Sequence, residues 1–196
     1  LFRSESYEIK KKLENLTQKV KEDAKNKDWE SSVEVKRTDI EDDNLGIYAP
    51  RFQAAGRAAK IHPDRLVFGA LKDGMNQICF DGQNFFDTDH PIFPNVDGTG
   101  TAKTVSNFYS GTGPAWYLLD TSQPLKPMIY QNRKDMTFTS MTADTDEAVF
   151  MRNMYRYGID GRSNVGFGFW QMAACSQEDL TAANFEKVYD AMCDLE

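Results

Sequence analysis

"PRFQAAGRAAKIHPDRLVFGALKDG", residues 50–74, is the longest stretch of the chain that obeys a single local rule. Pro50 suits a first helical position, where its missing N–H has no partner in any case. Phe52, Ala55, Gly56 and Ala59 follow at three- and four-residue steps and make a small-residue face suited to close packing. Pro63 can open a second helical segment, and Gly74 is a natural C-cap. A residue before proline is biased away from helix, so a kink or break is expected at His62. The two segments together predict one long, bent helix crossing a surface.

The flanks are read outward from this helix. "WESSVEVKRTDI" (29–40) alternates, with Trp29, Ser31, Val33 and Val35 on one parity and Glu30, Ser32, Glu34 and Lys36 on the other. That is a strand with one polar face. "DIEDDN" (39–44) is acidic but lacks the glycine and closing glutamate of a calcium loop, so it reads as a turn or helix cap. Upstream, "KKKLENLTQKVKEDAKNKD" (10–28) places Leu13, Leu16, Val20 and Ala24 in a thin apolar stripe on a charged helix. Downstream, 81–114 is rich in glycine and proline and reads as long loops. "AWYLLD" and "PMIYQNR" are strand-like. Val149 and Met151, then Val165, Phe167 and Phe169, alternate on either side of Asp160-Gly161, which predicts a β-hairpin with its turn there. Gly166 and Gly168 fall on the opposite parity, so close packing is expected on that side. Thr181 is expected to cap a last helix with Phe185, Val188 and Met192 on its apolar face.

Composition limits the functions available. The 196 residues carry a formal net charge of −7, which argues against a dedicated nucleic-acid binder. No apolar run approaches the roughly 20 residues a membrane helix needs. Cys79, Cys175 and Cys193 are odd in number and widely spaced, which fits reduced thiols rather than a disulfide framework or a zinc motif. Only His62 and His90 supply imidazole. No P-loop, dinucleotide fingerprint, nucleophile elbow or zincin motif is present.

The most chemical-looking stretch is "DGQNFFDTDHP" (81–91). Asp87, Asp89 and His90 are the candidates for a metal-assisted hydrolase, with His62 as the distant second imidazole. Asp87 and Asp89 are too close in sequence to surround an ion unaided, and His90 points away from them in an extended segment. The plainer reading makes Asp81-Gly82 a turn and Phe85-Phe86 a buried anchor. Asp87 and Asp89 then cap neighbouring backbone, and Pro91 fixes the exit.

The strings "DIEDDNLGIYAPRFQAAGRAA", "HPDRLVFGALKDG", "CFDGQNFFDTDHPIFPNVDGTG", "WYLLDTSQPLKPMIYQ" and "DEAVFMRNMYRYGIDGRSNVGFGFWQMA" resemble, in the same order, the major head subunits of phage Mu and Mu-like prophages. The resemblance runs from about Tyr7 to the last helix. It implies an α+β capsid subunit of the Hong Kong 97-type fold. Residues 1–48 are then an extended arm with a charged helical insert at 11–25, and 49–74 is the spine helix. Residues 75–175 are the loops and sheet of the peripheral domain, and 176–196 lead towards an axial domain that is expected to be incomplete. The implied function is structural, with no catalysis and no cofactor: self-assembly of hexamers and pentamers into an icosahedral shell around double-stranded DNA. The implied location is the virion, assembled in the bacterial cytoplasm, with scaffold, portal and decoration proteins as partners and no membrane. Contact with packaged DNA would be unspecific. A host-domesticated shell protein is the alternative use of the same fold. Candidate assembly residues are Trp29, Val33 and Val35, the acidic Glu41, Asp42 and Asp43, and the basic Arg133, Arg152, Arg156 and Arg162, with opposite charges expected to meet across subunits. Asp81, Gly82, Phe85, Phe86, Asp87, His90, Pro91, Asp160 and Gly161 are expected in structural turns and loops.

Overall fold

A computed structural model describes residues 25–43, 46–95, 99–124 and 126–195. The helix expected at 10–28 and the insert at 11–25 lie outside the described residues as far as position 24, while Lys27 and Asp28 already belong to the first strand. The described chain forms two compact units, each made of discontinuous segments.

One unit comprises residues 26–68 and 130–164. Its strands are β1 (Lys27–Lys36), β6 (Met128–Met141) and β7 (Met154–Phe167), in the order β1-β7-β6. Its helices are α1 (Arg37–Glu41), most of α2 (Tyr48–Asp73) and α3 (Glu147–Arg152). The alternation read in 29–36 is real: β1 pairs antiparallel with β7, Trp29 opposite Gly161 and Val35 opposite Tyr155. The strand stops at Lys36, however, and 37–41 is helical. There Arg37 reaches Glu41 one turn on at 2.7 Å and Asp144 at 2.7 Å, a local arrangement that only a helix gives the first pair. Asp43 then caps α2, its carboxylate accepting from the amides of Ile47 and Tyr48, both at 3.2 Å. The acidic turn is therefore a helix cap, as its composition suggests.

Two expectations are corrected in this unit. First, the chain does not break at His62: α2 continues through Pro63 as one helix of 26 residues. Proline removes one hydrogen bond, but apolar residues anchor the helix before it, through Phe52 against Tyr157 at 4.4 Å, and after it, through buried Leu71. Second, there is no hairpin turn at Asp160-Gly161, because both residues lie inside β7, paired with Glu30 and Trp29. The chain turns earlier, at Asn153, which ends α3 in the left-handed conformation with φ 55°. Val149 and Met151 belong to α3, with Val149 buried and Met151 exposed. Gly161 matters for space instead: a Cβ there would lie 2.7 Å from Met136 Sδ and 3.2 Å from Lys134 O.

The other described unit comprises 69–129 and 165–195. Strand β8 (Ala173–Ser176) is its centre, between β4 (Phe108–Tyr109), which is parallel to it, and β5 (Trp116–Leu119), which is antiparallel. Period-two alternation divides two layers. Ala173 and Cys175 join Leu71, Cys79, Phe85, Phe86 and Trp170, with Tyr117 and Leu119 packed alongside. Ala174 faces Val188 and Met192 of α4 (Ala182–Cys193), with Trp116 and Leu118 alongside. Thr181 caps α4 as expected, accepting from the Asn184 amide at 3.2 Å. The two-stranded ribbon of β2 (His90–Ile92) and β3 (Lys103–Val105) carries the histidine of interest. Gly168 meets its expected close neighbour, since a Cβ would fall 2.1 Å from Lys126 O.

Candidate functional site

The stretch 77–92 folds as a tight loop ending in β2. Phe85 N–H donates to Gln77 O at 2.9 Å, Cys79 N–H to Gln83 O at 2.7 Å, and Gly82, at φ 92°, donates to Cys79 O at 3.1 Å. The left-handed φ at Gly82 is what lets the chain reverse here. Phe85 and Phe86 form the expected anchor. Phe85 is wholly buried and stacks on Phe167 at 4.2 Å, and Phe86 covers Gly74, where a Cβ would lie 2.7 Å from its ring.

Asp87 behaves as a cap. It accepts from the Thr88 amide at 2.7 Å and from Asn84 at 3.2–3.3 Å. Burial opposes its ionisation, but these backbone donors hold its carboxyl below the usual range. Asp89 and Asp87 do not gather around His90 as a hydrolase site requires. The one group of three or more metal-ligating side chains among the described residues joins His90 to Cys79 and Asp81 instead. The reason is the direction of the ring. His90 begins β2 with its side chain turned inward, flat against Trp170 at 3.9 Å. Its Nδ1 is 2.7 Å from Asp81 Oδ2, and its Nε2 is 3.2 Å from Asn107 Oδ1. Asp81 Oδ1 also accepts from the Cys79 thiol at 2.9 Å and the Gln83 amide at 3.0 Å. Burial raises the Asp81 carboxyl, yet the thiol, the imidazole and the amide together hold it below its ordinary value. Burial, aided by Asp81, pushes the Cys79 thiol up to about 12. His62 belongs to the other unit, edge-on to Trp29 at 4.5 Å. The sequence alone does not mark Cys79, Asn107 or Trp170 as partners of His90. The two-residue spacing of Cys79 and Asp81 was the only local signal.

The expected assembly residues lie on the three-stranded sheet and its helices. Trp29 donates its indole N–H to Ser163 O at 2.9 Å. On its parity Val35 is buried, while Val33 is exposed. Trp29, Val33, Val35, Phe52, Ala59 and Phe138 line a groove of about 450 Å³ between sheet and helix. The opposite parity carries ion pairs that match the strand register. Asp28 meets Arg162 at 2.6 Å and Glu34 meets Arg156 at 2.5 Å, with Arg152 3.9 Å from the same Glu34. Glu41 pairs with Arg37, Asp42 closes α1, Asp43 caps α2, and Arg133 is exposed on β6.

A family profile described as Mu-like prophage major head subunit gpT matches residues 9–196. The chain belongs to this family. It is 54% identical over 172 residues to the Mu-like prophage FluMu major head subunit of Haemophilus influenzae, covering 85% of the chain and 56% of that protein. It is 49% identical over 170 residues to the major capsid protein of Escherichia phage Mu, with the same coverage of 85% and 56%. A subunit in the procapsid of bacteriophage JBD30 superposes with a TM-score of 0.71 at 64% identity, over 86% of this chain and 57% of that one. The fold is thus that of a phage capsid subunit, α+β in class and of the Hong Kong 97 type. The chain spans a little over half the length of the head subunits it matches.

Proposed function

We propose that this chain is the core of a head subunit that associates with copies of itself into the icosahedral shell of a Mu-like phage or prophage, enclosing double-stranded DNA. The likeness to a subunit of the JBD30 procapsid carries this reading, since identity of 64% at a TM-score of 0.71 joins sequence and fold in one match. In this reading β1 belongs to the extended arm, α2 is the spine helix, and the loops and sheet around β8 form the peripheral domain. The helix α4 leads towards an axial domain. The subunits act by many modest symmetric contacts, so avidity replaces any single strong interface. The groove beside Trp29 and the charged parity of β1 supply candidate contacts, and Arg133 and Arg152 add basic ones. Decoration, portal and scaffold proteins would bind the assembled lattice, and DNA contact would be through phosphates and sensitive to salt. The subunit would assemble in the bacterial cytoplasm and reside in the virion.

The test is light-scattering mass after gel filtration, with negative-stain images of the same peak, for the chain alone and co-expressed with the phage Mu major capsid protein. Rings, shells or incorporation into Mu shells support the proposal. A strict monomer that is also excluded from Mu shells overturns it.

A further inference from the structure

The carboxamide of Asn107 fixes the chemistry of the buried cluster. Its Nδ2 faces three main-chain carbonyls, Phe85 O at 2.8 Å, Ala173 O at 3.2 Å and Trp170 O at 3.3 Å. Only the amino side of an amide can do so. Its Oδ1 accepts from the Asp87 amide at 2.9 Å and therefore faces His90 Nε2 as an acceptor. His90 Nε2 must then carry a proton. The remaining ring nitrogen, Nδ1, lies 2.7 Å from Asp81 Oδ2. A bare lone pair against a carboxylate repels, so a cation has to stand between them, either a second proton or a metal ion.

The third donor, Cys79, favours the metal ion. Cys79 Sγ, an Asp81 oxygen and His90 Nδ1 all lie within 4.8 Å of one another. A bridging proton makes no use of the sulfur lone pairs, whereas a metal ion uses all three donors. We propose that Cys79, Asp81 and His90 form a binding site for a thiophilic divalent cation of the zinc class, which pins the 79–90 loop to β2. Sulfur and imidazole select such an ion over magnesium or calcium, which take oxygen ligands. Around tetrahedral zinc, with bonds of about 2.0–2.3 Å, donor atoms stand roughly 3.3–3.7 Å apart. The 2.7 Å contact of His90 Nδ1 with Asp81 Oδ2 therefore needs to open by less than about 1 Å, and Cys79 Sγ lies within 4.8 Å of both residues' ligand atoms. The turn at Gly82 already holds Cys79 and Asp81 on one side, and Asp81 Oδ1 keeps the Gln83 amide while Oδ2 turns to the ion. Trp170 fixes the imidazole plane, and Asn107 takes its Nε2–H, the outer-shell partner that zinc-bound histidines use. The fourth position falls to Asn84 O, 4.0 Å from the sulfur, or to water. Binding releases the Cys79 thiol proton into solvent, so affinity falls in acid.

The test is metal analysis of the purified chain, followed by cobalt titration of the chelated protein. One equivalent per chain is expected, with a thiolate-to-cobalt charge-transfer band, displacement by zinc and a rise in Tm of several degrees with zinc. Cys79→Ala and Asp81→Asn should each weaken cobalt binding by at least about tenfold, and Cys193→Ser should leave the band unchanged. If those two ligand variants do not fold, histidine ¹⁵N shifts of the unaltered chain decide: zinc on Nδ1 with a proton on Nε2 supports the site. Protons on both ring nitrogens at saturating zinc overturn it, as does a cobalt band that survives Cys79→Ala.

Discussion

His90 lies flat on Trp170, the ring centroids 3.9 Å apart and the planes 11° from parallel, with neither residue more than 1% exposed. This stack sits where the 79–90 loop enters β2 and meets the turn before β8, so it joins two segments that are distant in sequence. Replacing His90 by leucine keeps the volume roughly but strands the Asp81 carboxylate and the Asn107 Oδ1. Breaking one partner out of a buried polar pair costs about 3–5 kcal/mol. His90→Leu should therefore lower the urea midpoint substantially with an unchanged m-value. A loss under about 1 kcal/mol would show that water satisfies the stranded groups.

Glycine positions separate packing from turn chemistry. At Gly168 a Cβ would fall 2.1 Å from Lys126 O, which is backbone and can move only by shifting the strand connection. Gly168→Ala should cost about 2–3 kcal/mol or more. At Gly158 the nearest atom to a Cβ is Ser31 O at 3.8 Å, and the left-handed region is not used. Gly158→Ala should be neutral or stabilising by up to about 1 kcal/mol, because it restricts the unfolded chain. Thermal melts of the pair check the contrast.

The elements that were legible in the sequence are those set by local rules. Thr181 and Asp43 cap helices because their side chains reach amides three to five residues on. Phe85 and Phe86 anchor the loop because adjacent aromatics between polar residues have nowhere else to go. The false hairpin at Asp160-Gly161 came from good turn chemistry that long-range pairing overrides, since β1 claims both residues and Met136 fills the space a side chain would take. The short alternation of Val149 and Met151 could not be told from one helical turn. The surroundings of His90 were beyond reach for a different reason. Asn107 and Trp170 stand 17 and 80 positions further along, and no periodicity connects them. Reading the acidic cluster as backbone capping was right for Asp87 and missed the inward turn of Asp81.

Thiol reactivity follows from burial. Cys79 and Cys175 are buried, and burial pushes their thiols up to about 12 and about 11, whereas Cys193 is exposed. A raised thiol value leaves almost no thiolate near pH 8, and the thiolate is the nucleophile. Disulfide-exchange reagents should label one cysteine quickly in the folded chain and three after denaturation, with mass spectrometry placing the first label on Cys193. Two fast labels in the folded state would contradict the buried core around β8.

The in-register ion pairs of β1 and β7 give the last expectation. Asp28 and Arg162 meet at 2.6 Å, but their side chains remain 78% and 56% exposed. Solvent screens such pairs, so their worth to folding is about 0–1 kcal/mol. Arg162→Ala and Arg156→Ala should therefore leave the melting temperature of the chain nearly unchanged. Any loss of shell incorporation in the same variants would then arise at contacts with other subunits, because the fold itself is intact. A drop in chain stability of more than about 2 kcal/mol would instead place these arginines in the folding of the three-stranded sheet, and would remove them as assembly residues.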